Sequence, residues 1–429
     1  MKITKALALI LALLLCTAAV IGCEMAGDGS ETKAPPAPGP GAESANNSTG
    51  TEDESSGTNE KEEVERFDYF GATLSDYVTV DKALYQNTKV TLSSDYVVDD
   101  KVVKTYIDSL LFKYREKTNG DTKINESPIK YGDSAFIYYK GLKDGKEFEG
   151  GSNFDDKAPY ELGIGSGSFI PGFEDGLIGV IPSETSKEKP FELNVTFPEN
   201  YQSADLAGQA VVFRVYVEYI VQYTLPEYNA DFITNTLKYE AKTEDVVAEY
   251  NEYAKQLLEE DASAYAKNAA LNILWEELLD KVAVKKYPEG EVDYYYNSYI
   301  EQYEYYMKMF NTYYGYNFKS LDEFVIEYEG LEEGTDWKAN TRNNAEIDTT
   351  QNMIFHAIAQ QEGILVTDVD YQNSIQYYID YYKANYNQTY TAKEIEEGIG
   401  ERMLKENALF EKINKYLFDN CTVTYEDKE

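Results

Sequence analysis

Apolar and polar residues follow two periods along this chain, and each period marks a different region. Strict alternation appears at Thr88–Leu92, at residues 134–140, at 191–197 and at 210–220, where Val211, Phe213, Val215 and Val217 share one face. Lys143-Asp144-Gly145-Lys146 reads as a tight turn after the strand at 134–140. A spacing of three to four predicts a helix over 98–114, carried by Val102, Tyr106 and Leu110, with Asp99-Asp100 in its first turn and Asn119-Gly120-Asp121 closing it. Beyond Leu225-Pro226-Glu227 the alternation fades. Val247, Tyr250, Ala254 and Leu257 form one helical stripe, and Leu271, Leu274, Leu278 and Val282 a second, ended by Tyr287-Pro288. Tyr296, Tyr299, Tyr303, Tyr306 and Phe310 form a third, and Tyr371, Ile375, Tyr378 and Tyr382 a fourth. Residues 353–359 and 395–417 add two more, so roughly five to seven helices are expected. The fold class read from these patterns is α+β. A small antiparallel sheet with one short helix after Pro171 is inserted into, or lies next to, an all-α domain.

The 429 residues allow two or three domains. Asp and Glu total 77 against 39 Lys and Arg, a formal charge of −38. Nucleic-acid partners are not expected, because phosphate affinity comes mainly from Lys and Arg. An anionic membrane surface would also repel the chain unless it is anchored. The acidic groups read as a solvated face, with divalent-cation or basic-client binding as the alternative. No EF-hand loop is present, and no metal or cofactor is expected. His356, the single histidine, sits in an apolar run and reads as a surface or core residue, not a catalytic one.

The start of the chain reads as an export signal. Lys2 and Lys5 precede an apolar run over 6–21, too short for a comfortable membrane span, which ends Val20-Ile21-Gly22-Cys23. That ending resembles a bacterial lipobox, which implies cleavage after residue 22 and lipidation of Cys23. With Cys16 removed and Cys23 modified, Cys421 is left alone and no intramolecular disulfide is expected. Residues 23–64 are rich in Gly, Pro, Ser, Thr, Asn and Glu and read as a disordered tether. The expected location is the outer face of the cell membrane. Residues 65–128 are too short to stand alone and read as an arm that packs on something later in the chain.

Chemistry concentrates in residues 129–221. The stretch Gly165-Ser-Gly-Ser-Phe-Ile-Pro-Gly-Phe-Glu-Asp-Gly-Leu177 gathers three large apolar side chains at one chain reversal. Its Gly163-Ile-Gly165-Ser-Gly167 lead-in lacks the Lys-Ser/Thr of a phosphate loop and reads as a turn. Around it stand Tyr138-Tyr139-Lys140-Gly141, Phe148-Glu149-Gly150-Gly151 and Thr196-Phe197-Pro198-Glu199-Asn200-Tyr201. In order and spacing these four motifs resemble an FKBP-type peptidyl-prolyl cis-trans isomerase domain, of the kind found in trigger factor. The resemblance implies a proline pocket between sheet and helix. Its walls would be Tyr139, Phe148, Tyr160, Phe169, Ile170, Phe173, Tyr201 and Phe213, with Glu149 beside them where many members have Asp. Phe173 stands where many members have Trp, which implies a shallower floor. The Ile170 N–H would receive a client carbonyl, with Tyr160 helping to bind the client. No nucleophile, metal or proton shuttle is needed to twist a prolyl bond, so a domain without histidine can still be an enzyme.

Residues 222–429 resemble, more loosely, the helical chaperone portion of trigger factor. The residues carrying this are Leu225-Pro226-Glu227, Ile364-Leu365-Val366-Thr367-Asp368 and Cys421-Thr422-Val423-Thr424. The resemblance implies that the arm at 65–128 packs on these helices, so that the isomerase domain is an insertion. The 40 tyrosines exceed what one core needs and also suit a groove for varied unfolded segments. A Gly-Phe-Arg ribosome-docking signature is not found, and no ribosome role is expected. The expected partners are unfolded or proline-containing exported polypeptides. A non-catalytic holdase with a degenerate pocket remains the alternative. A solute-binding or adhesive surface lipoprotein is a third reading, which no bilobal α/β alternation supports.

Overall fold

The computed structural model describes residues 66–427, except 155, 156, 199, 200, 202 and 204, and of Glu149 only the backbone. The export signal, Cys23 and the tether therefore lie outside the described residues, as do Glu199-Asn200 of the fourth motif. The chain divides into two compact units. One joins residues 66–94 to 265–429; the other is the continuous stretch 95–264 between them. The segment read as a single arm over 65–128 is thus divided near Ser94.

Residues 66–94 belong to the split unit. They carry two strands, β1 (Val78–Thr79) and β2 (Thr88–Leu92). Arg66 donates from Nε and Nη2 to both carboxylate oxygens of Glu291 at 2.9 and 3.0 Å, and the Phe67 N–H donates to the same carboxylate at 2.7 Å. Tyr69 and Leu74 are fully buried. The strap is therefore bolted by its polar backbone and side chains and sealed by its apolar ones.

The continuous unit opens with α1 (Asp100–Lys113), where Asp99, expected within the first turn, is the N-cap and its side chain accepts from the Val102 N–H at 3.0 Å. Residues 119–121 do not simply close that helix. They end a strand, β3 (Glu116–Asp121), which pairs with β9 (Tyr223–Thr224). The main sheet holds β4 (Ser134–Lys143), β5 (Lys146–Ser152), β6 (Tyr160–Gly163), β7 (Phe191–Thr196) and β8 (Ala210–Val221). Its order is β5-β4-β8-β7, with β6 also on β4, and every pairing is antiparallel. A short helix, α2 (Phe173–Leu177), packs on one face. Ala135, Ile137, Leu193, Val195, Val211, Phe213, Val215 and Val217 point into the core beneath it. A bulge opposite Phe136 and Ile137 shifts the β8 register, so that inward positions pass from odd to even and Ile220 is buried.

Two helical stripes read as separate helices are one: α3 (Val246–Lys281), 36 residues long. Its first turns pack Tyr250 and Ala254 against Ile107 and Ile233 in the continuous unit. Its last turns bury Leu274, Trp275 and Leu278 in the split unit, where Trp275 stacks on Phe410 at 5.4 Å and donates to Asn414 at 2.8 Å. The split unit then adds β10 (Ala283–Val284), α4 (Glu291–Tyr313), α5 (Leu321–Tyr328), α6 (Trp337–Glu362), α7 (Asp368–Tyr386), α8 (Ala392–Ile399), α9 (Glu401–Asp419) and β11 (Cys421–Tyr425). The stripe over 395–417 is two helices, broken at Gly400. Residues 421–425 run parallel to β2, and β10 runs antiparallel to β1. His356 is a core residue, stacked on Tyr69 at 5.0 Å, and burial beside Arg402 lowers its pKa to about 3, which leaves it neutral. Among the described residues no helix is long and apolar enough to cross a membrane.

Candidate active site

Tyr139 sits on β4 where β5 draws away, at a register shift between Lys140 and Leu142. Asn153 fills the gap as a stand-in for a strand. Its Oδ1 accepts from the Tyr139 N–H at 2.6 Å, its own N–H donates to the Tyr139 carbonyl at 3.0 Å, and its Nδ2 donates to the Ile137 carbonyl at 3.2 Å. Phe148 folds back from β5 across Gly141, where a Cβ would come within 2.4 Å of the ring. The missing side chain at Gly141 is what lets Phe148 lie against the sheet. On the other side the chain reversal at 169–172 feeds Phe173 into α2, where it is fully buried.

These elements bring the aromatic residues into one unbroken series of ring contacts. Tyr160 meets Phe169 at 5.5 Å, and Phe169 meets Tyr139 at 5.3 Å and Phe173 at 4.5 Å. Phe173 meets Phe213 at 5.0 Å edge-on, and Phe213 meets Phe148 at 5.9 Å. Phe148 meets Phe197 at 5.8 Å, and Phe197 meets Tyr201 at 4.5 Å. Such tilted and edge-to-face pairs hold rings in fixed relative orientations beyond what burial alone does. Every aromatic residue expected at the site is in this series. Ile170 packs at its side, half-buried.

The structure sorts these residues by depth. Tyr160 and Tyr201 stand at the rim, 43% and 39% exposed. Tyr139, Phe148, Phe169 and Ile170 are half-buried and form the cleft surface. Phe173 and Phe213 are core residues. Phe173, the expected floor, is fully buried with the Phe169 ring tilted against it at 4.5 Å, and Phe213 lies beside it in the core. The side chain of Glu149 lies outside the described residues.

Two participants escaped the sequence reading. Phe197 links Phe148 to Tyr201. Its signal was available, since Leu193, Val195 and Phe197 alternate inward along β7 and its continuation. Glu174 is the other, a buried carboxylate that accepts from the N–H groups of Gly165, Gly167 and Phe169 at 2.8, 3.1 and 3.1 Å. It also accepts from the hydroxyls of Ser166 and Ser168 at 3.0 and 3.3 Å. The Ile170 carbonyl accepts from the Phe173 N–H at 3.1 Å, and among the described residues nothing accepts from the Ile170 N–H. Chemically the site is a partly exposed cluster of aromatic rings beside a backbone donor, the Ile170 N–H, that has no acceptor among the described residues. No group of His, Cys, Asp and Glu among the described residues could hold a metal ion. A separate depression of ≈ 630 Å³ lies by Asp144, Pro171 and Asn194 and shares no residue with the cleft.

Comparison with known proteins agrees with this geometry. Residues 125–218 match the FKBP-type peptidyl-prolyl cis-trans isomerase family, and residues 246–419 match the bacterial trigger factor protein C-terminus. Trigger factor of Limosilactobacillus reuteri is 30% identical over 277 residues, covering 65% of this chain and 58% of that one. Trigger factor of Halothermothrix orenii is 31% identical over 279 residues (64% and 59%), and that of Bacillus licheniformis 32% over 287 residues (66% and 60%). The chain thus spans somewhat under two thirds of the length of these relatives. A solved structure described as "Promiscuous Substrate Recognition in Folding and Assembly Activities of the Trigger Factor Chaperone" superposes with a TM-score of 0.35 at 16% identity, over 78% of this chain and 71% of that one. The chain thus carries an FKBP-type peptidyl-prolyl cis-trans isomerase domain at 125–218 and a trigger factor C-terminal domain at 246–419.

Proposed function

We propose that the chain is a membrane-tethered peptidyl-prolyl cis-trans isomerase and chaperone that acts on exported polypeptides. The observation that carries the isomerase reading is the unbroken series of aromatic rings from Tyr160 to Tyr201. A prolyl bond is held planar by resonance, with a barrier of roughly 18–20 kcal/mol, and isomerises unaided over tens to hundreds of seconds. The planar amide is more polar than the twisted one. An apolar slot between Tyr139, Phe148 and Phe169 therefore disfavours the ground state relative to the twisted form. The Ile170 N–H, which has no acceptor among the described residues, is available to donate to a client carbonyl. Each 1.4 kcal/mol of preference for the twisted form gives about tenfold in rate.

The chaperone part of the reading rests on the match over 246–419 and on exposed aromatics in the helical unit. Tyr313, Tyr314 and Tyr316, at the end of α4, are each about half exposed or more. Amphipathic rings of this kind accept apolar segments without requiring a sequence. The tether and anchor rest on the sequence alone: the basic start, the apolar run and Val20-Ile21-Gly22-Cys23. Two or more acyl chains on Cys23 would hold the chain at a bilayer, and a client outside the cytoplasm follows from that placement.

The test is prolyl-peptide isomerisation by the chain from residue 66 onward. Activity is expected, dropping roughly tenfold or more with Phe148→Ala and less with Tyr201→Ala at the rim. A flat result at high protein concentration would leave client holding as the function. In cells, Cys23→Ala is expected to abolish fatty-acid labelling, and retained labelling would remove the anchor from the proposal.

A further inference from the structure

We propose that Glu174 is a positioning residue for prolyl isomerisation: its carboxylate holds residues 165–169 in the shape that sets Phe169 and Ile170 against a client. The inference rests on the isomerase reading above. Five donors converge on this one side chain, three of them backbone N–H groups from alternate residues of the loop. Alternation comes from Gly165 and Gly167, whose φ values of +101° and +71° turn successive amides toward a common point. A concave run of N–H groups of this kind is an anion site. Here the anion is supplied from the same chain, by the second residue of α2. With Glu174 only 6% exposed, its charge is met by these dipoles instead of by water.

The loop it holds leads directly into the cleft. Phe169 is both the last donor to Glu174 and the ring that covers Phe173 and meets Tyr139. Ile170, the next residue, offers an N–H with no acceptor among the described residues. A donor fixed before the client arrives needs no reorganisation as the amide twists, whereas a donor on a loose loop does. The rings supply the contacts that bind the proline as well as the apolar setting that disfavours its planar amide, and none of those contacts is lost with the Glu174 carboxylate. The aligned donor favours the twisted form, so Glu174 should govern turnover.

The experiment compares the chain from residue 66 onward with Glu174→Gln, measuring kcat and KM on a proline peptide alongside amide resonances. Gln keeps the volume of Glu, but its NH2 group turns toward N–H donors. About a tenfold loss in kcat is expected, with KM changed by less than about twofold. The amide protons of Gly165, Gly167 and Phe169 should shift and lose exchange protection, while that of Val215 in the centre of the sheet stays put. Because Glu174 is buried, a second variant guards against misfolding. The doubly substituted Ser166→Ala, Ser168→Ala changes only exposed side chains and removes two of the five donors. It should lower kcat about two- to threefold in the same direction. Moved loop amides with unchanged kcat, or a loss carried by KM, would overturn the inference. If Glu174→Gln does not fold, an unchanged kcat in the double serine variant overturns it. An unsubstituted chain without activity would remove the isomerase reading and this inference with it, an outcome distinct from an active chain matched by Glu174→Gln.

Discussion

The two units use aromatic residues in opposite ways. In the continuous unit, rings from β4, β5, β8, α2 and the loops beside them converge on one cleft. In the split unit, tyrosines are spread over the helices, and their hydroxyls donate to carboxylates. Tyr85 and Tyr416 donate to Glu362, Tyr299 to Asp348, Tyr303 to Glu329 and Tyr371 to Glu396, at 2.5 to 3.1 Å. With 39 Lys and Arg for 77 acids, the chain lacks cations to pair with its carboxylates, and tyrosine supplies donors in their place. The excess of tyrosine thus has a structural use within the helical unit. That unit also buries polar atoms that have no hydrogen-bond partner among the described residues, Asp348 Oδ1, Gln351 Oε1 and His356 Nε2 being three of them. A cleft of interlocked rings in a contiguous stretch favours one geometry. A body closed by a distant strap and threaded with buried acids rests instead on long-range polar contacts whose loss leaves charge buried.

The strap offers the largest way to break this contrast. Glu291 is 1% exposed, and its charge is met by the Arg66 fork and the Phe67 N–H. Arg66→Ala should destabilise the split unit by about 3–5 kcal/mol, because it strands a buried carboxylate. Urea titration followed by circular dichroism would read this as helix lost at lower denaturant, with prolyl-peptide isomerisation almost unchanged. Equal loss of both would show that the contiguous unit depends on the strap.

A smaller effect sharpens the contrast through pH. Burial raises the Asp348 pKa from 3.8 to about 7, and the Tyr299 hydroxyl offsets this only in part. Tyr299 donates to the Asp348 carboxylate at 2.9 Å, Asn352 donates to the Asp348 backbone carbonyl at 3.2 Å, and the buried Tyr295 feels the Asp348 charge. A carboxyl with a raised folded-state pKa contributes stability that is complete below its unfolded value and is lost as pH rises through the folded one. The helical unit should therefore lose stability between about pH 4 and 7. Since a chain of charge −38 relaxes in mild acid anyway, Asp348→Asn separates the local effect from the global one. The variant should be more stable than the parent at pH 8, on the order of 2 kcal/mol, and match it near pH 4. A parent and variant that unfold alike at pH 8 would rule out a buried charge at Asp348.

How much of this was legible in the sequence depended on whether the signal was local. Strands β4, β7 and β8 and the helix beginning at Asp99-Asp100 follow from periodicity within short stretches, and the aromatic residues of the cleft from motifs that resemble a known family. What was missed depends on distant partners. Residues 116–121 are exposed at every position and carry no burial pattern, so only pairing with Tyr223–Thr224 makes them a strand. Cys421–Tyr425 became a strand by lying along Thr88–Leu92, more than three hundred residues earlier. The long helix α3 looked like two because its apolar face changes partners midway. Glu174 read as an acidic helix start, since nothing in its spacing reveals that five donors from the preceding loop would turn toward it.

The central claim is that isomerisation resides in the aromatic cleft and is separable from client holding by the helical unit. Suppression of aggregation of an unfolded, proline-free client tests this most directly when the unsubstituted chain and Phe148→Ala are compared at equal concentration. The account predicts that Phe148→Ala, though impaired on proline peptides, holds this client as well as its parent does. A variant that loses holding in proportion to isomerisation would contradict it.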